Sequence, residues 1–264
     1  MPELPEVETF RRQIADIVDG KKIEDVVVNK DPIVFANVSP AKIKKALLGA
    51  KVKCCRRKGK YLWLELDRKP WLILHFGMSG SLEVFEDLPE KQVKYLKLVL
   101  VTSKGVVALR DPRRFARIKL AMDPINEKPI SSLGFDPLED FPAAQVLSGI
   151  LEKRKAPVKA VLLDQSIFAG VGNWMADEIL FQARINPHRF AKDLSKAEVK
   201  ILRSKLLSVV ETAVDTGANY DDFPENWLFN HRWGKKAGEV SSGHSIVHDT
   251  IGGRTTAWVP DLQK

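Results

Sequence analysis

Six short apolar segments crowd the stretch between residues 61 and 121, and they constrain the fold more than any other feature of the chain. They are YLWLEL (Tyr61 to Leu66), WLILHF (Trp71 to Phe76), SLEVF (Ser81 to Phe85), YLKLVLV (Tyr95 to Val101), VVALR (Val106 to Arg110) and FARIKLA (Phe115 to Ala121). Each is rich in β-branched or aromatic residues and bounded by turn formers, and the close spacing points to an antiparallel β-sandwich. Ahead of them, Lys22 to Val28 reads as a strand and Ala41 to Leu48 as a short polar helix. The turn-rich DPINEKPISSLGFDP, Asp123 to Pro137, is the linker candidate. Beyond it the period turns helical, over Ala143 to Glu152, Val158 to Leu163, Trp174 to Arg184 and Lys196 to Thr216. Val240 to Val247 and Arg254 to Val259 close the chain as a candidate hairpin. The expectation is an α+β protein with a first domain over residues 1–122, a linker over 123–137 and a helical domain over 138–264.

With 264 residues, 44% of them hydrophobic, the chain can bury a sizeable core. It has no apolar run near the length of a membrane span, and its acidic start lacks the features of a signal peptide, so a soluble intracellular protein is expected. Forty-two Lys and Arg against 34 Asp and Glu leave a net charge of +8, which suits a polyanionic partner. The two cysteines, Cys54 and Cys55, are adjacent and form neither a disulfide framework nor a Cys-x-x-Cys metal motif.

Chemistry is concentrated at the first nine residues, MPELPEVET. Removal of Met1 leaves Pro2 as a secondary amine able to attack an aldehyde-like carbon and form an iminium, with Glu3 and Glu6 close by as proton carriers. An α-amino group has a reference pKa of about 7.7–8.0, so a useful fraction is free base near neutrality. The plainer reading is a helix start: Val7, Phe10, Ile14 and Ile17 form an apolar stripe, and Pro5, Glu6 and Glu8 suit a first turn.

Five further motifs add candidate residues, the first three with a plain reading beside the functional one. Arg56, Arg57, Lys58 and Lys60, around Gly59, either grip phosphate or form a solvated face. In HFGMSGSL, Met78 between Gly77 and Gly80 is either a tolerated turn residue or an apolar wedge between bases, with His75 ending the preceding strand. RDPRRFARI is either a basic turn or the tip that replaces an extruded base, Phe115 stacking and Arg113 bonding the orphaned partner. In DQSIFAGVGNWMADEIL, Gly170 and Gly172 supply unusual backbone angles between two helices, and Asn173 with free amides offers a phosphate site. GGRTTAWVP presents Arg254 behind two glycines.

Taken in order, MPELPEVET, RRKGKYLWLEL, HFGMSGSL, DPRRF, the GVGN loop and GGRTT resemble the motifs of the formamidopyrimidine-DNA glycosylase (Fpg/Nei) family from end to end. That resemblance implies an N-terminal β-sandwich with a leading helix, then a helix-two-turn-helix domain ending in a hairpin finger, with DNA between the domains. It implies a bifunctional DNA glycosylase and abasic-site lyase that needs no cofactor, acting as a monomer on damaged double-stranded DNA, without a membrane, in the nucleus or a bacterial nucleoid. Pro2 becomes the nucleophile at C1′, Glu3 the proton shuttle that helps open the sugar, Glu6 a supporting carboxylate and Lys60 a phosphate ligand near the lesion. His75, Gly172, Asn173 and Arg254 become DNA-backbone contacts, and Met78, Arg113 and Phe115 fill the gap left by the flipped base.

Two departures qualify the match. Most relatives close the finger with four cysteines around zinc, whereas residues 238–264 contain none; His244 and His248 are half a structural site. The resemblance is to the zincless-finger branch of plants and fungi, with Trp258 and Ile246 as candidates for the packing that replaces the metal. The segment Gly217 to Lys235 replaces a flexible loop that caps flipped 8-oxoguanine in many relatives, and Trp227, Phe229 and Trp233 suggest a shorter, packed connection. Preference for formamidopyrimidines, hydantoins and abasic sites over 8-oxoguanine follows. The competing classes are a non-catalytic damage binder, an enzyme using N-terminal proline as a base on small carbonyl acids, and a metal-dependent nuclease; the last lacks a carboxylate cluster.

Overall fold

The computed structural model describes residues 2–88, 94–234 and 238–264; Met1 and Lys235 lie outside the described residues. Its contacts fall into two compact units, one holding Pro2 and Glu6–Ser132, the other Glu3–Pro5 and Leu133–Lys264. The division after Ser132 lies inside the turn-rich stretch 123–137. Among the described residues no helix is long and apolar enough to cross a membrane.

In the first unit, α1 (Leu4–Val18), whose opening residues group with the second unit, leads into β1 (Asp25–Val28), α2 (Pro40–Leu47), β2 (Val52–Lys58), β3 (Tyr61–Leu66), β4 (Trp71–His75), β5 (Ser81–Phe85), β6 (Leu96–Thr102), β7 (Gly105–Arg110) and β8 (Arg117–Ala121). Two four-stranded antiparallel sheets result, ordered β1-β6-β7-β5 and β2-β3-β4-β8. Strand alternation sorts the side chains: Leu62, Leu64 and Leu66 of β3 join Leu72, Leu74, Leu98, Leu100, Val107 and Leu109 in one core, under Val7, Ile14 and Val18 of α1. Trp63 points the other way, to Ile73, Ala121 and Ile130. Each fully buried Leu contributes about 1.5–3 kcal/mol of transfer free energy, so this double layer is the main source of the unit's stability. The strand expected over 22–28 begins only at Asp25, because the chain ahead of it bonds elsewhere first: Lys22 makes an isolated bridge to Lys51 and Ile23 N donates to the Ala50 carbonyl before Glu24 N reaches the Val101 carbonyl.

The second unit packs α3 (Ala144–Leu151), α4 (Val158–Leu162), α5 (Asn173–Ala183) and α6 (Lys196–Asp215) around Leu162, Phe168, Met175, Ile179, Leu202, Leu206 and Val210. A full capping box between Ser195 and Glu198 starts α6. The ten residues between α4 and α5 are two turns stapled by Gln165, whose Nε2 donates to the Val171 carbonyl (2.8 Å) while its Oε1 accepts from Gly170 N (3.0 Å). The segment after α6 carries Phe223, Trp227 and Phe229, all buried around Trp174. Trp233 packs edge-on against Phe229 (ring centres 5.2 Å apart) as expected but from the outside, 60% exposed, with the Arg232 guanidinium over its ring.

The closing hairpin is β9 (Val247–Ile251) with β10 (Arg254–Trp258), joined by Gly252 and Gly253 at φ 58° and 72°. Two consecutive left-handed residues are what a two-residue type I′ turn requires. The expected first strand over 240–247 is displaced to 247–251, because Val240 and Ile246 turn inward instead, against Phe181, Leu228, Ala257 and Val259. Ile246 therefore packs as expected of it, whereas Trp258 is tethered at the edge, its Nε1 donating to Asp249 Oδ2 at 2.8 Å.

Candidate active site

In the second unit, Glu3 occupies the position at the start of α5 that free helix amides make attractive to anions. Its carboxylate accepts from Trp174 N (3.0 Å) and Met175 N (3.2 Å), and the residue is 2% exposed. The α5 amides that the sequence offers to a DNA phosphate are taken by this carboxylate. The unusual backbone angle expected at Gly172 is absent: its φ of −124° is ordinary for any residue. Glycine is needed there because a Cβ would collide with the Glu3 carboxylate. Gly170, at φ 95°, does supply the left-handed turn, and its carbonyl accepts from Leu4 N at 3.1 Å. These bonds anchor the residues immediately after Pro2, which is itself half-buried.

Asn173, the first residue of α5, donates from Nδ2 to the Thr255 carbonyl (2.9 Å), one residue past Arg254, whose side chain is exposed beyond the Gly-Gly turn. Among the described residues no group bonds the buried Asn173 Oδ1. Asp177, one turn along α5, is buried between Lys159 Nζ (2.5 Å) and Arg232 Nη2 (2.5 Å), and accepts from Ala257 N (3.1 Å). The finger is thus seated by charge as well as by apolar packing. Burial pulls the Lys159 pKa below the usual lysine range, against the opposing pull of Asp177. The neighbouring Glu178 is raised to about 7 by burial, even though Gln182 and Phe229 N donate to it.

In the first unit, the four-cation cluster splits. Arg57 turns inward, 6% exposed, with Nε on Glu8 Oε2 (3.0 Å), so it is structural. Burial alone would raise Glu8, but the Arg11 hydrogen bond and the Arg57 charge outweigh it and hold its pKa at about 2. Arg56 is exposed at the edge of β2, 3.8 Å from Glu65. Lys60 follows Gly59, which turns from β2 into β3 at φ 56°. His75 is depressed to about 4, by burial first and then by the positive charges of Lys60, Arg117 and Lys119. Because Nδ1 accepts from Gly77 N (3.2 Å), the neutral ring carries its proton on Nε2, a hydrogen-bond donor. Glu6 is buried on the first turn of α1.

Met78 and Phe115 are 39% and 42% exposed, and the Arg113 guanidinium lies 5.1 Å from the Phe115 ring centre. Their two turns touch: a Cβ on Gly77 would collide with the Phe115 carbonyl. Asp111, fully buried, ties them together, accepting from Ser79 Oγ (2.5 Å), Arg113 N (3.2 Å) and Ala116 N (2.6 Å). Arg114, left-handed at φ 60°, forks onto Asp31. Sequence reasoning passed over Asp111 and Asp177. The available signals were an Asp opening a DP turn and an acidic residue inside the apolar run of α5.

In the finger, His248 Nε2 lies 3.1 Å from the Arg232 carbonyl, and His244 lies 3.6 Å from Asp261. Among the described residues no group of three or more His, Cys, Asp or Glu is placed to hold a metal ion. With no cysteine in the finger, that donor set does not fit a four-ligand zinc site.

A family model described as the formamidopyrimidine-DNA glycosylase N-terminal domain matches residues 1–118, and one described as the H2TH domain of the same enzyme matches residues 133–223. A formamidopyrimidine-DNA glycosylase of Arabidopsis thaliana is 39% identical over an alignment spanning all of this chain and 71% of that protein. One from Desulfitobacterium hafniense is 32% identical, with both chains fully covered. In structure the chain is similar to the Lactococcus lactis enzyme bound non-covalently to DNA containing an AP site, with a TM-score of 0.85, 27% identity and 99% of each chain covered. It is equally similar, at 0.85 and 27%, to the Lactococcus lactis enzyme in complex with DNA containing FAPY-dG, with 99% of this chain and 100% of that chain covered.

Proposed function

The chain belongs to the formamidopyrimidine-DNA glycosylase family, and from that premise we propose that it is a base-excision-repair glycosylase and abasic-site lyase acting on oxidised purines in double-stranded DNA. The observation that carries the catalytic part is the seating of Glu3 on the α5 amides, directly after Pro2. With Met1 removed, the Pro2 amine attacks C1′ of the flipped nucleotide and the glycosidic bond breaks, its electron pair leaving with the base. Glu3 supplies the proton that lets the sugar ring open to an iminium. Loss of the acidified C2′ proton then expels the 3′ phosphate by β-elimination, and a further elimination expels the 5′ phosphate. Glu6 supports this exchange of protons. Lys60, His75 through Nε2–H, the Gly172–Asn173 turn and Arg254 take the DNA backbone, and Met78, Arg113 and Phe115 occupy the space of the flipped base.

The same reading makes the protein a monomer with a metal-free finger, working in the nucleus, or in the nucleoid of a bacterial source. Formamidopyrimidines, hydantoins and abasic sites rank above 8-oxoguanine, which is supported by the burial of Trp227 and Phe229 in the segment after α6. The domains run over residues 1–122 and 138–264. Borohydride added to a reaction with a duplex carrying an abasic site or a formamidopyrimidine should trap a covalent adduct. Absence of an adduct, or trapping undiminished in Pro2→Gly, removes the Pro2 mechanism.

A further inference from the structure

Among the described residues β10 pairs only with β9, and side chains of α4 and α5 occupy its other edge. Asn173 and Asp177, four apart on α5, share a helix face; Thr255 and Ala257, two apart on β10, present their backbone groups in the same direction. Asn173 Nδ2 and Lys159 Nζ both donate to the Thr255 carbonyl (2.9 and 3.2 Å), while Ala257 N donates to Asp177. Asp177 is held from both sides by cations, Lys159 and Arg232, which are 0% and 9% exposed. The turn that carries Arg254 rests on α4, where a Cβ on Gly252 would come 3.2 Å from that of Ala160. A strand slipped by one residue would offer Asp177 a carbonyl in place of an N–H, and two buried acceptors would then oppose each other.

We propose that Asp177 is the positioning residue of the finger: its charged bond to Ala257 N fixes the register of β10 on α5, and thereby places Arg254 for a DNA phosphate next to the one Asn173 serves. The proposal rests on the phosphate-binding reading of Arg254. Asp177 touches no substrate in this role and acts only through the strand.

The test is the salt dependence of binding to a duplex carrying a tetrahydrofuran abasic-site analogue. Each phosphate contact adds about 0.9 to the slope of log affinity against log salt. Arg254→Ala should lower that slope by about 0.9. Asp177→Asn should lower it by at least as much, and the double variant should lower it no further than Asp177→Asn does. A merely structural Asp177 would lower the melting temperature and leave the slope of the folded protein intact. An unchanged slope in Arg254→Ala removes the phosphate reading and the proposal with it. A normal Arg254→Ala response beside an unchanged Asp177→Asn slope, or fully additive losses, overturns the proposal alone. Should Asp177→Asn fail to fold, Asp177→Asn/Arg232→Met removes one of the two cations that have lost their partner and is judged by the same slope. In the unsubstituted protein the Ala257 amide should exchange as slowly as the interior amides of α5; exchange at the rate of an exposed strand edge also overturns the proposal.

Discussion

Two buried aspartates, one in each unit, do the same mechanical work by different chemistry. Asp111 ties together the turns of Met78 and Phe115 and is satisfied by a hydroxyl and two amides, all neutral donors. Asp177 seats the finger with one amide and two buried cations. Neutral donors tolerate the loss of their acceptor if water can reach them, whereas buried cations do not. The difference teaches that an exposed turn can be stapled cheaply, while a hairpin with a small apolar cluster, Val240, Ile246, Ala257 and Val259 with Phe181 and Leu228, is held by charge as well.

Replacing each carboxylate by an apolar side chain should expose that contrast. Asp177→Leu strands Lys159 and Arg232 and should cost about 3–5 kcal/mol, the range for breaking one side of a buried ion pair. Asp111→Leu should cost about 2–3 kcal/mol, because only Ala116 N stays sealed from solvent once its acceptor is gone. Urea unfolding measures both, and equal losses would erase the distinction.

Beside Asp177, Glu178 adds a pH dependence to the contrast. Its folded pKa of about 7 stands above the ordinary glutamate value of 4.5. Between those values the unfolded chain has released the proton and the folded chain still holds it, so stability falls as pH rises from about 4.5 to 7 and levels off above. The groups acting on it are Gln182, Phe229 N, Arg232 and Asp177. Glu178→Gln should flatten that slope in unfolding measured from pH 4.5 to 8; a slope left intact assigns the proton to another group.

How legible all this was depends on whether a signal is local. The strand at Ser81–Phe85 and the helix starting at Lys196 coincide with the residues read from the sequence, because alternation and helical period are written in neighbouring positions. The hairpin strand was displaced from 240–247 to 247–251, since Val240 and Ile246 are apolar for a core that only the folded chain assembles. Motifs located the turns at Met78 and Phe115 but not what holds them, because Ser79 and Asp111 are 32 residues apart. Gly172 was read as a conformational glycine when its constraint is the space taken by Glu3, and nothing within GVGN announces a neighbour so distant in the chain. Arg57 was read with the exposed cations, although the strand period places it opposite Arg56, facing Glu8.

The smallest expected effect tests the neutral staple by itself. Ser79→Ala removes one donor from Asp111 and leaves the two amide bonds, so stability should fall by only about 1 kcal/mol. The functional consequence should exceed that, because Ser79 Oγ is the Asp111 contact that reaches the Met78 turn. With the tie cut, Met78 and Phe115 no longer move as one body, and under the wedge role proposed for them, holding a paired nucleotide out of the stack should suffer most. Base removal from a fully paired duplex should therefore slow, while strand cleavage at a pre-formed abasic site in single-stranded DNA, which has no base to displace, should keep its rate. Equal slowing on both substrates would place the effect of Ser79 on the chemical step rather than on the wedge, and the likeness drawn between the two aspartates would then hold for stability alone.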